Sequence, residues 1–359
     1  MMLPARLFSR VATLSAGMVA WNGFWSRRYG GLPEPDEVHR VKTPEGHTFA
    51  LSRFRAAEPE KKHPVILCHG LSGNHFLMDP YPAPSLARTL AGHGYDTWAI
   101  DLRHAGFSVE KHRGTARLAH WDFDSYLEQE MKTALESVHR QTGAPQVHWI
   151  GHSMGGMLLL CHLAQGNSSA IRSGVTIASA LDFNGTATDF KQMLKIRVLI
   201  SKMNSLPIQA ASHTLIPFTG HFSNAIERFA YWQDNVHPEM ARRIHACYYE
   251  KIPTALMLQL ATIMEPGGFR NRDGSVRYAD RLGEVKTPVL ALAADRDRQC
   301  SANAAANTFE KLGSDRKEFI LFGKEQGHGS HYGHMDLLIG KRADREVFPK
   351  ILAWLDQTD

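Results

Sequence analysis

The stretch QVHWIGHSMGGMLLLCHLA, Gln146 to Ala164, constrains this chain more than any other. An apolar run of the kind found in a buried strand passes through Gly-His-Ser-Met-Gly and continues at once as an apolar helix. A strand that turns so sharply into a helix strains its middle residue. It also needs neighbours without bulk two positions to either side. Gly151 and Gly155 are those neighbours. Ser153 is then presented at the carboxyl edge of a sheet, and the backbone N–H of Met154 stands at a helix start, where a developing oxyanion is favoured. A serine in this setting is a nucleophile once a histidine takes its proton and a carboxylate supports the imidazolium.

The rest of the chain supplies the sheet that such an elbow requires. VHRVK and TFALSRFR flank the turn TPEGH and predict an opening hairpin. PVILCHG (Pro64 to Gly70) is apolar on both faces, as a strand covered on both sides must be. A helix over SLARTLAGHG, a strand DTWAIDLR, a helix from about Asp122 to Arg140 and the strand before Ser153 follow. Further strands are predicted at GVTIASA, PVLALAAD and KEFILFG, and REVFPKILAWL closes the chain as an amphipathic helix. Strands alternating with helices predict an α/β fold, a mostly parallel central sheet flanked by helices. About 100 residues between ALDFNG and VKTPVLALA carry helical apolar spacing and no such strand, too long for a loop. They predict a mainly helical cap over 183–280, inserted between core segments 31–182 and 281–359.

Three features then match a known family. LCHGLSG has a His-Gly turn after an early buried strand, DLRHAGFS is close to D-x-R-G-x-G-x-S with His104 at its first glycine, and the elbow is G-x-S-x-G. From about Val38 onward the chain resembles the α/β-hydrolase fold. HGLSGN, SLARTLAGHGYDTWAIDLR, WDFDSYLEQEM and YGHMDLLIG resemble its acid-lipase branch in particular. The resemblance implies a second oxyanion N–H from Leu71. It implies an acid after PVLALAAD, where AADRD aligns with a G-x-x-D pattern and favours Asp297, with Asp295 the nearer rival and Asp182 a third. GHGSHYGHMD offers three histidines: His334 matches the acid-lipase string, with Asp336 two residues on, His328 has the Gly-His form common in the wider family, and His331 ranks last. A zinc site built from these three lacks a completing cysteine or carboxylate cluster in the sequence.

The expected function is therefore a serine hydrolase of carboxylic, lipid-like esters acting through an acyl-enzyme, with no cofactor and no metal. An amidase or peptidase, an acyltransferase, and a catalytically silent binding protein are the alternatives on the same fold. Aromatic residues of the cap (Phe218, Phe222, Tyr231, Trp232, Tyr248, Tyr249) and His213 and His221 are candidates for an acyl pocket collectively, while a place in the core is the favoured reading of any single one, and RNRDGSVRY reads as a polar turn. Interleaving of 41 Lys and Arg with 36 Asp and Glu, without a basic run, gives nucleic-acid binding no support. The four scattered cysteines show no ligand spacing. Residues 1–30 hold the weakly polar stretch VATLSAGMVAWNGFW between Arg6 and Arg10 on one side and Arg27 and Arg28 on the other. They predict an export signal or membrane-associated anchor, against the alternative of an amphipathic helix packed on the domain.

Overall fold

The computed structural model describes residues 5–56, 58, 61–108, 121–189, 201–221 and 225–359. Residues 190–200 of the expected cap, and Phe222, fall outside them. Among the described residues, strands β1 (Glu37–Lys42), β2 (Thr48–Phe54), β3 (Val65–Cys68), β4 (Thr97–Asp101), β5 (Val147–His152), β6 (Ile171–Ile177), β9 (Val289–Ala294) and β10 (Lys317–Phe322) form one sheet. Its order is β1-β2-β4-β3-β5-β6-β9-β10. β2 runs antiparallel to both β1 and β4, and every pairing from β4 to β10 is parallel. The order reverses around β3, so the loops leaving the carboxyl ends of β3 and β5 lie side by side at the crevice where open α/β sheets bind ligands. Those two loops carry Leu71 and Ser153.

Alternation along the strands divides the core between the two faces. Ile66, Cys68, Trp98 and Trp149 pack with helices Met131–Thr142 and Met154–Ala164 on one side. Val65, Leu67, Ala99 and Ile150 pack with helices Leu86–Gly92 and Phe348–Thr358 on the other. The helix Met154–Ala164 is buried along its whole length, which is why its sequence is apolar all round. Between β6 and β9 no strand of this sheet occurs among the described residues. Helices Ile208–Leu215, Ala225–Ala230, Pro238–Cys247 and Thr254–Ala261 stand there. Beside these helices Ser205–Leu206 (β7) pairs antiparallel with Ile252–Pro253 (β8). Their side chains are shared with the core, since Leu206, Ile252 and Leu256 join one face and Ile244 and Tyr248 the other. The N-terminal segment forms a helix, Ala5–Tyr29, held to the insertion by Asn22 Nδ2 donating to Ala210 O at 3.3 Å and Trp21 Nε1 to Thr214 O at 3.5 Å.

Candidate active site

Ser153 has φ 52° and ψ −116°, a conformation that side-chain-bearing residues avoid and that the packing around it imposes. A Cβ on Gly151 would lie 2.2 Å from the Gly155 carbonyl carbon, and one on Gly155 2.3 Å from Cys68 O. Both glycines are therefore required by close approach of backbone to backbone, as the sequence pattern demands. Ser153 N donates to Ile177 O at 2.8 Å, fastening the elbow to the neighbouring strand.

Ser153, Leu71, Met154 and His334 line one narrow cavity of about 60 Å³ with Met157, Phe183, Leu260, Ile263, Met264 and Cys300 among the other walls. His334 Nδ1 donates to Asp297 Oδ2 at 2.7 Å, and both side chains are buried. The remaining oxygen of Asp297 accepts the N–H groups of Gln299 and Cys300, each at 2.8 Å, which fixes the carboxylate. The other two histidines of the cluster turn elsewhere. His331 pairs through Nδ1 with Asp295 Oδ2 at 2.5 Å, while Asp295 Oδ1 accepts Tyr332 N. His328 packs on Phe322 and bonds Gly323 O. Asp182 is engaged by Lys311 Nζ at 2.7 Å. Two consecutive His–Asp pairs thus pin the loop 327–336, and one of them reaches the cavity. A larger open depression of about 770 Å³, bordered by Tyr81, Arg88 and Arg243, shares no residue with it.

Of the two readings of the insertion's aromatic and histidine candidates, the geometry sets aside the acyl pocket. None of the described ones lines the cavity; its outer wall comes from Leu260, Ile263 and Met264. Phe218 points to solvent, Tyr231 is in the core, Trp232 lies against His331, and His221 bonds Arg242. The Tyr248 ring occupies the space where a Cβ on Gly73 would stand, so it braces the loop that carries Leu71 rather than an acyl chain.

Sequence reasoning missed two contributors, His152 and Glu250, and gave Asp336 only as part of the acid-lipase string. His152 donates from Nε2 to His334 O at 3.0 Å, and its ring lies 4.7 Å from that of His334. Burial, followed by the proximity of His334, holds His152 far below the usual imidazole range, so it supports the loop as a neutral donor. Asp336, fully buried, accepts from Gly333 N (2.7 Å), Asn235 Nδ2 (2.9 Å) and Trp232 N (3.2 Å), tying the histidine loop to the insertion. Burial lifts its carboxyl to about 7. Glu250 reaches in the opposite direction. Its Oε1 accepts from Asn74 Nδ2 and Gly106 N, its Oε2 from Gln209 Nε2, and its backbone N–H donates to Ser72 O beside Leu71. The signals available were weak, because each partner is a backbone group or lies far away in sequence. His104, where the family-like loop expects glycine, does take a left-handed φ of 63° and stacks on Trp121 at 4.8 Å.

The sequence profile of the alpha/beta hydrolase fold matches residues 63–337. Gastric triacylglycerol lipase of Bos taurus is 29% identical over 134 residues, 34% of this chain and 33% of that protein. Lipase 1 of Drosophila melanogaster is 30% identical over 156 residues, 40% of this chain and 34% of that one. The chain therefore spans about a third of the length of the curated relatives it matches. Among solved structures, a monoacylglycerol lipase of Paleococcus ferrophilus has a TM-score of 0.59 at 17% identity, covering 90% of this chain and 100% of that one. A bacterial membrane phospholipase A has a TM-score of 0.59 at 17% identity and covers 99% of each chain. At such identities these structures share the fold with it.

Proposed function

The chain belongs to the α/β-hydrolase fold family, and from that premise we propose that it is a serine hydrolase of carboxylic esters with an apolar acyl chain. The observation that carries this reading is the strained Ser153 sharing one cavity with a histidine whose far ring nitrogen is held by a buried carboxylate. Ser153 Oγ attacks the ester carbonyl as His334 Nε2 takes its proton. Asp297 keeps Nδ1 protonated and stabilises the imidazolium, and the Leu71 and Met154 N–H groups receive the oxyanion. The alkoxide leaves with the proton from His334. Water then attacks the acyl-enzyme along the reverse path, and no cofactor enters.

The acyl preference rests on the apolar part of the walls, Met157, Phe183, Leu260, Ile263 and Met264, which outweighs the polar Ser179 and Gln299 beside it. Small-molecule sites start at about 300 Å³, so a cavity of about 60 Å³ must widen to admit such a chain. Residues 183–280 act as the cap that gives way, and Met157 and Met264 are pliable side chains suited to re-forming around different acyl groups. The test is hydrolysis of p-nitrophenyl esters of graded chain length by the full chain, beside Ser153→Ala, Asp297→Asn and His334→Ala, with fluorophosphonate labelling in parallel. Turnover and labelling that vanish in Ser153→Ala support the reading. Labelling without turnover on any ester sinks the substrate assignment, and no labelling sinks the nucleophile.

A further inference from the structure

Over residues 17–29 the helix Ala5–Tyr29 presents large apolar side chains to water. A helix on the surface of a globular domain buries its apolar side and exposes its polar one. From Gly17 onward the exposed positions here are Gly17, Met18, Val19, Ala20, Trp21, Phe24, Arg27 and Arg28, so the helix is exposed all round over 17–21 and along one side beyond. Val19 is 73% exposed and Phe24 60%. Of the uncharged polar side chains, Asn22 turns inward, where it bonds Ala210 O and accepts from Thr214 Oγ1, and Ser26 is half-buried and donates to Gly23 O within the helix. The apolar strip continues onto the insertion, because Trp21 stacks at 6.5 Å on Phe218, itself 58% exposed.

We propose that this strip is a docking surface for the interface of an anionic phospholipid bilayer, on which the helix lies with its outer face among the acyl chains. Apolar area and basic charge together select that partner. Large side chains, two of them aromatic, fill the strip, and Arg27 and Arg28 are exposed at its end. Arg6 and Arg10 stand beyond its other end in the sequence, and the chain carries a net +5. Insertion of such a face is driven by the hydrophobic effect, and basic residues near the surface add attraction to anionic headgroups. A second copy of the chain would satisfy the apolar strip but would bring its own arginines against these. Because Asn22, Trp21 and Tyr29 are bonded to Ala210, Thr214 and Cys247, docking also places the insertion over Ser153 next to the lipid surface.

The test is flotation of the full chain with vesicles of phosphatidylcholine alone and of equal parts phosphatidylcholine and phosphatidylglycerol, for wild type, Val19→Ser/Phe24→Ser and Arg27→Gln/Arg28→Gln. Circular dichroism confirms that each variant is folded. The expected result is flotation with the anionic vesicles, weakened by high salt, reduced about tenfold or more in the apolar variant and several-fold in the arginine variant. Absence of flotation overturns the proposal, as does flotation that the apolar variant leaves intact. A dimer in solution that this variant dissociates, without flotation of the wild type, assigns the strip to a second copy and overturns it equally.

Discussion

Glu250 joins the insertion to the loops beside the oxyanion donors, and it makes that joint sensitive to pH. Its carboxyl is lifted from the ordinary 4.5 to about 7, chiefly by burial, with Asp101 adding to the rise and the donors Asn74 and Gly106 and the nearby His75 opposing it. One pH unit of displacement is worth about 1.4 kcal/mol. The protonated form favoured in the fold therefore contributes at most about 3.5 kcal/mol, fully present below about pH 4.5 and lost as pH rises through about 7. Solvent that still reaches the side chain brings the true value below that ceiling. Glu250→Gln keeps an oxygen for Asn74 and Gly106, and the Gln209 amide can turn to face the new NH2. The variant is expected to match the wild type near pH 4.5 and to exceed it by about 1–3 kcal/mol near pH 8. Asp336, displaced the same way, tilts both curves equally. Urea midpoints across this range, compared as a difference between the two proteins, isolate the Glu250 share. Parallel curves, or a variant less stable at the alkaline end, would refute the reasoning.

Three further outcomes follow from single contacts. His334→Ala is expected to lower kcat/KM on a p-nitrophenyl ester by about a thousandfold or more while His331→Ala stays within about tenfold, because His331 holds the loop through Asp295 and only His334 borders the cavity with Ser153; equal losses would mean that the loop acts as one unit. Gly155→Ala places a Cβ 2.3 Å from Cys68 O, and denaturant midpoints should show about 3 kcal/mol or more of destabilisation. Arg103→Met strands the buried Glu130, to which the guanidinium is bonded through two nitrogens, and should cost about 3–5 kcal/mol at neutral pH. Part of that should return in acid, where Glu130, already raised by burial, takes a proton.

What could be read in the chain and what could not are separated by the kind of group that makes each contact. β3 and β9 are buried on both faces and so have sequences with no polar side to mislead, while β5 carries His148 and His152 on one side and is betrayed by the elbow that follows it. The elbow was legible because steric exclusion by backbone leaves glycine alone at 151 and 155. Asp297 and Asp295 were harder to separate, since each has a histidine partner and the two pairs repeat along the same strand end and loop. Only the position of the cavity distinguishes them. The outer wall was misjudged for a related reason. TALMLQLA is apolar on nearly every side, so no periodicity says which side faces Ser153, and large aromatic residues nearby drew attention that Leu260, Ile263 and Met264 deserved. His152, Asp336 and Glu250 left the faintest trace because much of what they hold is peptide groups, His334 O, Gly333 N, Trp232 N and Gly106 N, and their side-chain partners Asn235, Asn74 and Gln209 lie far away in sequence. Every residue but proline carries the same N–H and C=O, so a partner of this kind imposes nothing on the identity of the residue opposite. The polar scaffold that orients the histidine loop and the oxyanion loop is thus written in only one of its two members. It becomes readable once the insertion has docked and brought residues more than 100 positions apart, such as Trp232 and Asp336, within hydrogen-bond distance.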